Sequence, residues 1–169
     1  LVALGASLWG TDTVLRRPLA GSVSSPVIVF WEHLVLAAVL LPVTIAARRQ
    51  WQRLRVGEWA ALLGIAWGGS ALGTVLYTQA IKLGNPTTAV LLQKCQPLCA
   101  VFFAALLLGE RLRRQHWLYL ALAMGAAYLV SFGERGLLAP FRTRSPLDAL
   151  PGLLALGAAA LWALSTVLG

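Results

Sequence analysis

The chain has 169 residues, of which 59% are apolar and only 12% charged, and its mean hydropathy is +0.75. Soluble domains run about 45–50% apolar and about 25% charged, so this composition excludes an ordinary globular enzyme or binding module. The formal charge of +8 invites a nucleic-acid reading, but the arginines fall in short runs between apolar blocks, Arg16-Arg17, Arg48 to Arg55, Arg111 to Arg114 and Arg135 to Arg144, and build no basic face for a duplex. Loop charge that orients a membrane protein accounts for the sign.

The apolar blocks are long enough for a bilayer, which takes about 20 residues per helix. Span one covers about 1–15, and span two about 26–47, opening after Ser24-Ser25-Pro26. Span three covers about 58–82 and span four about 86–108, joined by the short Gly84-Asn85-Pro86 turn that makes them antiparallel neighbours. Span five is about 116–132, and span six about 151–169. The expected fold is all-α, a polytopic transmembrane helix bundle with about six spans. Gly64-xxx-Gly68 and Gly69-xxx-Gly73 in span three predict close helix packing. Cys95 and Cys99, one turn apart in span four, read as small core residues, and neither a metal site nor a cofactor is expected.

Leu8-Trp9-Gly10-Thr11-Asp12-Thr13-Val14-Leu15 returns at the end of the chain as Leu161-Trp162-Ala163-Leu164-Ser165-Thr166-Val167-Leu168. A long-period repeat sets architecture. Five spans per unit would place the second unit upside down, a mark of secondary transporters. The domain reading is a first five-helix unit at 1–133, a connector at 134–150 containing Pro140 and Pro146, and the first helix of a second unit at 151–169. The missing initial Met, and an end at Gly169 within an apolar run, read as a piece of a longer protein. Cavity residues in this piece would then line half of a path.

Loops after spans two and four carry Arg48, Arg49, Arg53, Arg55, Arg111, Arg113 and Arg114; the opposite side carries Arg16, Arg17, Lys82, Arg135, Arg142 and Arg144. Trp51, Trp59 and Trp117 flank the first set, as an interfacial belt would. This predicts a cytoplasmic N-terminus in a cell membrane.

Ionisable groups at membrane depth face a bundle interior or a wet cavity. Glu32 and His33 lie roughly 10 Å into span two at about 1.5 Å per residue. Asp12 ends span one, Tyr77 and Gln79 end span three, and Gln93 and Lys94 occupy the first half of span four. Alternating direction puts Asp12, Glu32, His33, Tyr77, Gln79 and Lys94 in the same half of the membrane, so a shared polar cavity is expected. A structural Glu32–Lys94 ion pair and a Lys94 that snorkels outward are the plainer alternatives. Pro97 removes a donor and clashes with the carbonyl of Gln93, predicting a kink beside Lys94.

Leu8-Trp9-Gly10, Ser25-Pro26, Tyr77-Thr78-Gln79-Ala80-Ile81, Asn85-Pro86-Thr87-Thr88-Ala89, Gln96-Pro97 and Leu108-Gly109-Glu110-Arg111-Leu112, in this order, resemble the EamA-type transporters of the drug/metabolite transporter superfamily. The resemblance implies ten helices in two inverted five-helix units and export or exchange of small metabolites or drug-like molecules. The expected solute path, read from membrane depth, the kink and the repeated Trp segment, runs along Trp9, Asp12, Glu32, His33, Tyr77, Gln79, Gln93, Lys94 and Pro97. Many relatives carry arginine where this chain has His33, and imidazole titrates near neutrality where guanidinium does not. The expected partners are a small-molecule substrate, the bilayer, coupling protons and a second copy of the chain. Two other classes compete. One is an intramembrane serine protease built on Gly68-Gly69-Ser70-Ala71, for which His116 sits on the wrong side and His33 toward the opposite face. The other is a non-transporting scaffold on the same fold.

Overall fold

The structure is a computed structural model that describes residues 2–110, 113–132 and 150–169. Arg111 and Leu112, and the connector with Arg135, Pro140, Arg142, Arg144 and Pro146, lie outside the described residues. The described residues form helices and short turns and contain no strand: α1 Val2–Ser22, α2 Ser25–Ala46, α3 Arg48–Trp51, α4 Val56–Leu63, a π-helical segment Gly64–Leu72, α5 Gly73–Leu83, α6 Pro86–Gln93, α7 Gln96–Leu108, α8 Arg114–Phe132 and α9 Leu150–Leu168.

Local chemistry sets many of the ends. Ser24 is extended and Pro26 enters the first turn of α2, where a missing N–H costs nothing. The Asn85 side chain accepts a 2.9 Å bond from the Thr87 N–H, with Pro86 next to it, and this starts α6. The Glu58 carboxylate accepts a 2.6 Å bond from the Arg55 N–H ahead of α4. α7 ends at Gly109, whose φ of 67° is the left-handed conformation that favours glycine, and the Glu110 N–H closes back on the Ala104 carbonyl.

Four helical stretches are long and apolar enough to cross a membrane: Ser25–Ala46, Val56–Leu83, Pro86–Leu108 and Leu150–Leu168. Their outward faces carry exposed Phe30, Leu40, Leu41, Phe102 and Leu106. Such surfaces are at home in hydrocarbon, where helices satisfy their own backbone. α8 is as long as α9, but its first turn is Arg114, Gln115 and His116. α1 is also long; it carries Asp12, Arg16 and Arg17, and here the first span departs from expectation. It does not end at residue 15: the helix runs through Pro18 to Ser22, and Arg16 is 8% exposed inside the bundle.

The core forms where α9 lies against span three and α6. Tyr77, Ala80, Ile81, Ala89, Ala155 and Ala158 make one buried cluster. Small side chains let the backbones approach, as they do between membrane helices that lack a hydrophobic driving force. The glycine pattern of span three meets α9 directly: a side chain at Gly69 would meet Ser165, one at Gly73 would meet the Trp162 ring, and Gly64 and Gly68 face Leu168 and Leu161. Trp51 and Trp59 lie with ring centroids 5.8 Å apart at one end of the bundle.

Candidate functional site

Arg16 is the centre of the site. Its Nε and Nη2 donate to the Oδ2 and Oδ1 of Asp12 at 2.9 and 2.8 Å, one helical turn back. Nη2 also lies 2.7 Å from Oε1 of Glu32, Nη1 donates to Glu32 Oε2 at 3.2 Å, and Nη1 donates again to Thr78 Oγ1 at 2.9 Å. A guanidinium has five N–H donors in a fixed fork. Here four donate hydrogen bonds, and Nη2 is also in ion-pair contact with Glu32. Thr78 can accept because its own hydroxyl proton goes to the Thr74 carbonyl at 2.8 Å. Burying a cation at this depth costs several kcal/mol unless it is paired and hydrogen-bonded; two carboxylates and a threonine meet that condition. With two carboxylates against one guanidinium, the cluster carries a surplus negative charge, and its remaining capacity is to accept.

The cluster stands between two cavities, and Arg16, Ser70 and Thr74 line both. The larger, about 900 Å³, lies between α1, α2 and span three; Glu32 and His33 reach it amid Leu19, Val27, Trp31 and Leu36. The smaller, about 510 Å³, lies toward α9 and holds Asp12, Tyr77, Trp162 and Ser165. Asp12 and Ser165 are the equivalent positions of the repeated segment.

His33 and Ser70 are partners. His33 Nε2 is 2.7 Å from Ser70 Oγ, and Nδ1 is 2.8 Å from the Val29 carbonyl. A carbonyl can only accept, so Nδ1 carries a proton, and in the neutral imidazole Nε2 then accepts from the serine hydroxyl. This corrects the expectation that the two side chains sit toward opposite faces. Ser70 belongs to the π-helical segment, which advances less per residue than an α-helix, and it stands level with His33.

Tyr77 is buried; its hydroxyl is 3.1 Å from Thr13 Oγ1 and its ring 5.3 Å from that of Trp162. Gln79 accepts a 2.8 Å bond from the buried Ser25 hydroxyl, tying the start of α2 to the end of span three. Trp9 lies in α1, and its side chain is outside the described ones. Gln93, Lys94 and Pro97 are elsewhere. They line a third cavity of about 410 Å³ with Gln96, Ala100 and Thr166. Span four is broken there: Lys94 and Cys95 form a turn, and Pro97 falls in the first turn of α7. Glu32 pairs with Arg16, so no Glu32–Lys94 ion pair forms.

Sequence reasoning missed Arg16, Thr78, Thr13 and Ser25. The signal for Arg16 was present as Asp12 four residues earlier, the spacing that stacks two side chains on one helix face.

Among known proteins, the chain is 33% identical over 137 residues to the riboflavin transporter ImpX of Fusobacterium nucleatum, an alignment covering 78% of this chain and 46% of that one. It is 30% identical over 135 residues to an uncharacterized transporter in the cobO 3′ region of a Sinorhizobium species, covering 76% of this chain and 93% of that one. The chain thus spans about half the length of ImpX. No solved structure matches it. Residues 1–132 match the EamA-like transporter family. By that match the chain belongs to this family, and its apolar helices make it a multi-pass membrane protein.

Proposed function

We propose that these residues form one five-helix unit (1–133), a connector (134–150) and the opening helix of an inverted second unit (151–169) of a secondary active exporter or exchanger. It would move small metabolites or drug-like molecules by alternating access of the two units. The observation that carries this reading is Arg16, held by Asp12 and Glu32 between two cavities. Such a cluster links α1, α2 and span three in one arrangement, and opening a path between the cavities requires those contacts to re-form elsewhere. That Asp12 and Ser165 line the same cavity supports pairing of the repeated helices. The arginine distribution supports a cytoplasmic N-terminus in the cell membrane.

The larger cavity has the size and lining of a small-molecule site, roughly 300–1,000 Å³ and mostly apolar with a few polar groups. Its free polar capacity lies on carboxylate oxygens, so it suits an amphipathic solute that brings hydrogen-bond donors. Riboflavin, the solute in the name of ImpX, brings hydroxyls and an imide N–H, and is the first to test. Glu32 and His33 are the groups through which protons would couple. In proteoliposomes of the full-length protein under an imposed proton gradient, flux of riboflavin or another small metabolite is expected. Glu32→Gln and His33→Ala should each reduce it about tenfold, the scale of one charge-assisted bond. Unchanged flux and unchanged pH dependence in the double variant would remove both residues from the coupling.

The Ser70–His33 hydrogen bond favours one other reading, a serine nucleophile with its base. Acyl transfer also needs preorganised donors for the oxyanion, and the backbone N–H groups around Ser70 are taken up by helical winding. The family points to a transporter rather than an enzyme. A fluorophosphonate probe is therefore expected to leave Ser70 unlabelled. Labelling that disappears in Ser70→Ala would revive the nucleophile.

A further inference from the structure

The third cavity belongs neither to the Arg16 cluster nor to the two spaces beside it. It sits where span four breaks between α6 and α7, facing α9. α6 closes on itself through the Lys94 and Cys95 N–H groups, bonded to the carbonyls of Leu91 and Leu92 at 2.9 and 3.0 Å. α7 then starts afresh and runs 13 residues, so its positive N-terminal end lies within the membrane span, beside the cavity.

Two side chains at this break have no partner among the described residues. Gln93 is 7% exposed and lines the cavity, yet its amide engages no other described group. Its amide atoms are not sealed in the core, so their free capacity opens to the cavity. Lys94 lines the same cavity and is in neither ion pair of the described residues, and no carboxylate joins it there. The remaining polar lining is Gln96, whose amide can donate, and Thr166, whose hydroxyl proton is committed to the Trp162 carbonyl at 2.9 Å. A cation, an unused amide and a helix N-terminus around about 410 Å³ are complementary to negative charge.

We propose that the α6–α7 break is an oxyanion site that takes the carboxylate or phosphate group of a small solute. Lys94 supplies the counter-charge and the Gln93 amide the second donor. Lys94 is the ninth residue of the 23-residue span Pro86–Leu108, about 12 Å from its start, too deep for a lipid headgroup to reach without deforming the bilayer. The assignment is independent of the transport reading, since it concerns equilibrium binding.

The test is equilibrium dialysis of radiolabelled succinate and of inorganic phosphate against the full-length protein in phosphatidylcholine nanodiscs. Saturable binding of at least one anion is expected, weakened about tenfold or more by Lys94→Gln and by Gln93→Leu and retained in Lys94→Arg, which keeps charge and fold. Absence of saturable binding, or equal binding by Lys94→Gln, overturns the site and leaves Lys94 as a snorkelling residue. Displacement of both anions by phosphatidylglycerol nanodiscs assigns the chemistry to a headgroup and overturns the solute assignment. Glu32→Gln is expected to impair flux while leaving anion binding in place, so failure of either reading shows up separately.

Discussion

Replacing Arg16 with methionine is expected to abolish solute flux and to lower the thermal midpoint of the full-length protein in detergent. Methionine roughly fills the volume but removes five donors, leaving Asp12 and Glu32 as two carboxylates without their shared cation. Removing one member of a buried ion pair typically costs about 3–5 kcal/mol. The lower end applies here, because Asp12 and Glu32 keep 35% and 36% of their exposure. Arg16→Lys should recover only part of the loss, since an ammonium has three donors and cannot grip both carboxylates in bidentate fashion. Arg16→Met combined with Glu32→Gln should regain stability without regaining flux, which separates the fold from the work of the site. A wild-type midpoint for Arg16→Met would show that the cluster does not hold α1 to its neighbours.

The second large effect is expected at Gly69. In a helix, Gly→Ala normally stabilises by up to about 1 kcal/mol. At Gly69 the added methyl would collide with the Ser165 side chain, and at Gly73 it would lie 2.9 Å from Trp162 Nε1. Both positions press against α9, so the sign should reverse: Gly69→Ala and Gly73→Ala should each destabilise, by about 1–3 kcal/mol as in other overpacked sites. Gly10, where an added methyl group would have no neighbour within 4 Å, is the matched control and should gain from alanine. Thermal unfolding of the three variants decides the matter; equal shifts for Gly69→Ala and Gly10→Ala would mean that α9 does not pack on the glycine face.

Spans two and four were legible because proline and glycine mark their ends. Pro26 and Pro86 enter first turns, and Gly109 takes the left-handed cap, so the helices begin and end within a residue or two of expectation. The break at Pro97 was equally plain. The first span was misjudged for a physical reason. Arg16-Arg17 followed by Pro18 looks like a helix exit, and hydropathy treats each charge as if it faced lipid alone. Asp12 and Glu32 change that balance, and Glu32 is sixteen residues away on another helix. Depth along a span was also easier to infer than direction around it. Lys94 and Glu32 share a depth class, yet one opens toward Thr166 and the other toward Arg16. The contact between His33 and Ser70 depends on helical winding, and nothing in the residue pattern of Gly64–Leu72 announces a change of pitch.

That change of pitch has a further consequence. Gly64–Leu72 stores more residues per ångström of span three than the α-helical stretches on either side. Rewound as α-helix, the same nine residues would lengthen the span and rotate α4 relative to α5, carrying Ser70 away from His33. No hydrogen-bonded turn would be lost overall, only traded for one of different closure. The histidine–serine bond is thus made on the shorter of these two windings.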